Sequence, residues 1–178
     1  MTRTRANLLV VATALLVAAP GLAQNTPSDY RNEMLEHFDR SSRKLQMLSQ
    51  AIPAELYTWS PGEGVMSIAQ VYMHIARYNY MYLQENLGIP APSGVDWPNF
   101  EAITDKAVVV DLLGKSIEHV KRATNAMSEA ELIRETTLYG NQVAGWAVLL
   151  QLVAHMNEHV GQSIAYARMN GVVPPWSR

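Results

Sequence analysis

Apolar residues recur at helical spacing in four long stretches of this chain. From about Ser28 to Leu48, the residues Tyr30, Met34, Phe38, Leu45 and Leu48 fall at steps of four, four, seven and three, which line one helix face. Ser28 and Asp29 are the expected caps, and Pro53 stops any continuation. A second helix is predicted from Ser67 to about Leu87, opened by a Ser67–Gln70 capping box and closed by Gly88 and Pro90. Val71, His74, Tyr78 and Met81 share one of its faces, with Ile68, Ile75 and Tyr82 beside it. A third runs from Thr104 as N-cap to about Met127, with Val109, Leu112, Leu113, Ser116, Val120 and Met127 on the buried side. The fourth, from Gln142 to Asn170, ends at Gly171 with Pro174 and Pro175 beyond. Its first half, VAGWAVLLQLVA, is apolar nearly all round, the pattern of a helix surrounded by others.

Three connections separate these helices. Tyr57 to Gly64 is rich in Pro and Gly. Ile89 to Glu101 holds three prolines with Trp97 and Phe100, and is either a lid over a pocket or a crossover strap packed by its aromatics. Ser128 to Leu138 carries at most a short helical turn over Glu129 to Ile133. No segment shows the alternation of a strand, so the expected architecture is all-α, an antiparallel four-helix bundle.

The first residues have the layout of an export leader. Arg3 and Arg5 precede an apolar stretch from Leu8 to Ala19, Pro20 and Gly21 break it, and small residues lead up to Ala23. A signal peptide over 1–23, cut after Ala23, would leave one domain over 24–178 in the periplasm or outside the cell. The stretch is short for a membrane span, so no membrane association is expected after cleavage. The chain has no cysteine and can form neither a lipobox anchor nor a disulfide. Losing Arg3 and Arg5 takes the formal charge from −2 to −4, which argues against nucleic acid as a partner.

The chemistry concentrates on histidine. His155 and His159 stand four apart, so on a helix their Cβ atoms lie roughly 6 Å from each other on one side. His74 is a third, in the middle of another amphipathic helix. Backbone carbonyls inside helices are already bonded, so three histidines on apolar faces need other partners, and a shared cation satisfies all three. Neutral imidazole suits zinc, nickel, iron or copper. Three protein ligands with an open position is the catalytic zinc arrangement, in which a bound water is acidified towards a pKa of about 7.

Around this triad, Tyr78 lies one turn from His74, and Gln162, one turn beyond His159, is placed to orient an imidazole. Glu158 is turned about 100° from His159 and points to a neighbouring helix or solvent. Gly161 offers a place for another helix or a substrate to approach. His37 reads as a boundary residue, and His119, in a polar run, as exposed. The many Tyr and Met residues of the second helix fit a core or a homodimer interface.

The segments MSIAQVYMHIARYNYMYL and HMNEHVGQSIAYARMNGVVPPWS, taken in this helix order, resemble the DinB/YfiT-like superfamily of four-helix metalloproteins. That resemblance implies a divalent ion, zinc or nickel first and iron or manganese next, held by His74, His155 and His159. Relatives in the superfamily include thiol-dependent transferases and isomerases, metal-dependent hydrolase candidates and many members with no known activity. The expected role is therefore metal-assisted activation of water or a thiol on a small-molecule substrate. The rival expectation is a bundle that binds metal or a small ligand without turnover, in a stress-related setting.

Overall fold

The computed structural model describes residues 25–177; the expected signal peptide over 1–23 lies outside them. Four long helices form the body: α1 (Pro27–Ala51), α2 (Ile68–Met81), α3 (Lys106–Ala126) and, after the short α4 (Glu129–Ile133), α5 (Gly145–Met169). α5 packs against α1 and α2, and α3 packs against the same two helices from the other side, which closes the bundle. No helix of the described residues is long and apolar enough to cross a membrane.

The helix starts follow from local chemistry. Thr26 and Asp29, Ser67 and Gln70, and Ser128 and Glu131 form three reciprocal capping boxes, each satisfying backbone donors that a first turn leaves free. Pro27 occupies a first-turn position of α1, where a missing N–H costs nothing. For α3 the cap is Asp105, whose carboxylate accepts from Val108 N at 3.0 Å, one residue later than the Thr104 expected from sequence. At the far end of α5, Gly171 takes a φ of 72° and Val172 N returns to Ala167 O at 2.8 Å, closing the helix as its glycine suggested.

Phe38, Leu45 and Leu48 of α1, with Ser42 in the gap between them, face the core, whereas Tyr30 is left exposed near the free end. Tyr72, Met73, Tyr80 and Tyr82 are all buried in the chain's own core, which accounts for much of the Tyr and Met richness of this region. The apolar first half of α5 is not enclosed on every side: Trp146 and Leu150, four apart, are 38% and 50% exposed on its outer face.

Two departures from the sequence expectation matter for the site. First, α2 does not continue as an α-helix to Leu87; it passes at Tyr82 into a π-helical turn over Tyr82–Asn86. Such turns insert a residue into the helical repeat and re-aim the side chains that follow. Second, the chain is not all-α. Glu135–Leu138 (β1) and Asn141–Ala144 (β2) pair antiparallel, Leu138 opposite Asn141, around the two-residue turn Tyr139–Gly140. Both turn residues have positive φ, 51° and 81°, as a tight hairpin matching strand twist requires. The strands are four residues each and polar, so alternation over them is too brief to register, and Gln142 belongs to β2 rather than to the last helix.

The hairpin delivers the chain to α5 through Gly145. An added Cβ there would lie 2.4 Å from Glu131 O, so only glycine lets the start of α5 cross the end of α4 this closely. Gly145 N also donates to Arg134 O at 2.9 Å.

The crossover Ile89–Glu101 is a strap packed by its aromatics. Trp97 and Phe100, in the short turn Trp97–Ala102, are both buried, and Phe100 meets Tyr80 of α2 edge to face at 6.0 Å.

Candidate metal centre

His74 on α2 and His155 and His159 on α5 converge where these two helices face one another. Four-residue spacing puts the α5 pair on one side, with ring centroids 4.5 Å apart. The His74 ring lies 5.2 Å from that of His155 and 5.0 Å from that of His159. One nitrogen from each residue falls within 4.8 Å of the other two, a group that could hold a metal ion. His155 and His159 are buried, while His74 keeps a 16% exposed side chain at the rim.

The outer nitrogens of two rings are fixed by acceptors. His74 Nδ1 is 2.9 Å from Glu101 Oε1, and His159 Nδ1 is 2.7 Å from Gln162 Oε1. The Gln162 amide nitrogen donates to Tyr166 Oη at 3.0 Å, which leaves its oxygen to accept from His159. An acceptor at each Nδ1 favours the tautomer that keeps its proton there and leaves Nε2 as the ligating nitrogen. His155 Nε2 and His159 Nε2 face each other at 3.2 Å, a distance at which one proton can be shared between them. A cation would replace that shared proton, and three imidazoles are a donor set for zinc, nickel, iron or copper. The residues present fit such an ion.

Electrostatics keep the site ready for it. Burial, followed by repulsion from His159 and His74, pushes the His155 imidazole down to about 3. His159 is also lowered, by burial first, against the opposing pull of Gln162 and Glu158. Both rings are therefore neutral at physiological pH, the form that ligates metal. Partial burial would raise the Glu101 carboxyl, but hydrogen bonds from His74 and Arg77 outweigh it and hold the group below the usual carboxylate range.

Tyrosines wall the site. The Tyr78 ring sits 4.4 Å from that of His74 and 4.9 Å from that of His155, so it contacts both helices' ligands. Tyr82, where α2 passes into the π turn, lies 5.4 Å from Tyr78 and 5.9 Å from His155. Its hydroxyl bonds that of Tyr139 at the hairpin tip and accepts from Gln151 at 3.4 Å. Burial, with the Tyr139 hydroxyl next, raises Tyr82, so it remains a phenol rather than a phenolate.

His74, His155, His159, Tyr78 and Gln162 are thus brought together. Glu158 is exposed, as its helical phase implied. Gly161 is also exposed and an added Cβ would meet nothing within 4 Å, so no helix approaches it. His119 is buried rather than exposed, its ring 5.1 Å from that of Tyr80. Sequence reasoning missed Glu101, Tyr82 and Tyr139. A carboxylate in an aromatic-anchored loop, 27 residues from the histidine it bonds, leaves no periodic trace. The phase shift of the π turn likewise has no signature in residue spacing.

Comparison with known proteins follows the same lines. A comparison with proteins of curated function finds no match. Among solved structures, a DinB-like protein from Bacillus cereus ATCC 10987 superposes with a TM-score of 0.70 at 17% identity, covering 81% of this chain and 95% of that one. The DinB-like protein YjoA from Bacillus subtilis gives 0.61 at 23% identity, over 80% and 94%. At these identities the likeness is one of fold. The family model of the DinB superfamily matches residues 37–166, a span that holds all three histidines, and on that match the chain belongs to the DinB superfamily.

Proposed function

We propose that this chain is an exported metal-dependent enzyme that binds one divalent ion through His74, His155 and His159. In this reading it acts on a small molecule by hydrolysis or thiol transfer. The observation that carries the proposal is the convergence of three imidazoles, two of which have their outer nitrogens already held by acceptors. A histidine ligand is usually braced in this way by a carboxylate, carbonyl or amide. When bound, the ion would act as a Lewis acid, lowering the pKa of a water or thiol in its remaining coordination position.

The chain's own groups supply the rest. Glu101 and Gln162 keep the Nδ1 protons of His74 and His159 in place and so hold both rings in the ligating tautomer. Tyr78 and Tyr82 wall the histidines with aromatic surface. The Tyr82 hydroxyl, kept protonated, is paired with that of Tyr139 at the hairpin tip.

Elemental analysis tests this on the protein purified without an affinity tag, beside His74→Ala and His155→Ala. About one metal per chain, lost in both variants, is the expected result for a three-histidine site. No metal, even after incubation with zinc or nickel, overturns the proposal and makes the histidines polar core residues. Metal held without turnover of any ester or thiol substrate would return the chain to the binding-module reading. Intact mass of the exported protein checks the leader: the expected chain begins at Gln24.

A further inference from the structure

We propose that Glu101 is a positioning residue for the His74 ligand, and that through it docking of the strap over residues 89–103 is coupled to metal binding. The inference rests on His74 being a ligand, as proposed above, and extends it to a residue and a segment outside the histidine triad.

Three observations meet at the Glu101 carboxylate. His74 Nδ1 bonds its Oε1 at 2.9 Å. Arg77, one turn along α2 from His74, donates to the same oxygen from Nη1 at 3.1 Å. The Arg77 guanidinium also lies 5.4 Å from the Tyr78 ring centroid, so carboxylate, arginine, tyrosine and ligand form one connected group. The carboxylate is carried there by the Trp97–Ala102 turn, whose Trp97 and Phe100 are driven into the core.

The strap starts from a fixed point as well. Ile89 N donates to Leu83 O at 2.9 Å and Ala91 N to Gln84 Oε1 at 3.2 Å, both on the π turn that begins at Tyr82 beside the site. One face of the site is therefore assembled by the strap, not by the helices alone.

The coupling has a direct physical origin. A cation on His74 Nε2 withdraws electron density from the ring and makes Nδ1–H a stronger donor to Glu101. The same hydrogen bond, read in the other direction, makes Nε2 a better ligand and fixes the ring's rotation. Because binding free energies are reciprocal, metal must tighten the strap by the factor by which the docked strap tightens metal. A carboxylate there for ordinary surface stability would behave differently. With its side chain 36% exposed, the Glu101–Arg77 pair alone contributes little to folding.

Cobalt(II) is the probe, because its visible bands report the ligand field directly. The intact protein is titrated with cobalt(II) beside Glu101→Ala, Glu101→Gln and Glu85→Gln, the last a control at an exposed carboxylate. Glu101→Ala should bind cobalt about 10- to 100-fold more weakly, with shifted bands. Glu101→Gln, which keeps an acceptor of the same shape without the charge, should fall in between and covers any folding defect of the alanine variant. Glu85→Gln should match the wild type. Hydrogen exchange over residues 97–103 should slow on cobalt addition in the wild type and not in Glu101→Ala. Equal affinity and unchanged bands in both Glu101 variants would overturn the coupling while leaving the metal site standing. A wild-type protein that takes up no cobalt would overturn the metal site and the coupling with it.

Discussion

His119 shows what a single buried ring does to this molecule's response to pH. It sits against Tyr80 with its Nε2 buried and unpartnered, and burial, then the nearby Arg122 charge, lowers its pKa. The unfolded chain binds a proton there at about 6.5, whereas the folded chain resists it to lower pH. As pH falls below about 6.5, protons therefore favour the unfolded state, and stability declines until the folded pKa is reached. Above that window both states are neutral and His119 contributes no slope. Chemical denaturation of metal-free protein at pH values between 7 and 5 should show the wild type losing more stability than His119→Gln, and parallel losses would contradict the burial argument. Its neighbours Glu118, Lys121 and Arg122 made the position read as surface, yet the i,i+3 relation to Ser116 puts it on the buried face of α3. The histidines at 155 and 159 were legible because one helical turn relates them and the surrounding residues are apolar. Glu101 was not, because its partner lies across the fold.

Helices with strong caps and a regular apolar stripe could be read to within a few residues; elements held together by tertiary contact could not. α1 and α3 belong to the first kind, and so does the start of α2, where Ser67 and Gln70 bond reciprocally. The π turn at Tyr82–Asn86 and the β1–β2 hairpin belong to the second. Asn86 ties them together: its side chain donates to Thr137 O, and its carbonyl accepts from Thr136 Oγ1. The hairpin also holds a tyrosine with φ of 51° at a position that favours Asn or Gly, and that tyrosine's hydroxyl reaches Tyr82 beside the site. The two helical glycines of α5 separate local from tertiary constraint. Gly161 is exposed with open space around it, so Gly161→Ala should raise stability by about 0.5–1 kcal/mol through helix propensity alone. Gly145→Ala forces a Cβ onto Glu131 O, and should lower stability by about 1–3 kcal/mol as overpacking does. Denaturant midpoints of the two variants should thus move in opposite directions; a shared sign would mean that the start of α5 can shift away from α4.

At the scale of the whole bundle, the candidate metal centre lies on the seam where α2 meets α5, and this seam is shorter than the contacts α5 makes with α1 or α2 with α3. The three imidazoles and their bracing groups lie within this shorter contact. His74 comes from one helix, His155 and His159 from the other, and Glu101 brings in the strap. An ion bound by all three histidines would clip the two helices across their thinnest contact. It would bind the folded state selectively, because the unfolded chain holds His74 far from the α5 pair. Selective binding stabilises a fold by RT ln(1 + [L]/Kd), about 2.7 kcal/mol when free metal is a hundredfold above Kd. For a domain of this size that corresponds to a rise in Tm of roughly 5–10 °C. Thermal unfolding with added zinc, against the same protein treated with a chelator, should show that gap, and the zinc-loaded Tm should climb with zinc concentration. His74→Ala removes the only α2 ligand while leaving both α5 histidines. Its chelated Tm should stay near that of the chelated wild type, and the increment from zinc should collapse. An increment that survives His74→Ala would mean that the metal is held by α5 alone, and that the α2–α5 seam is joined by packing rather than by an ion.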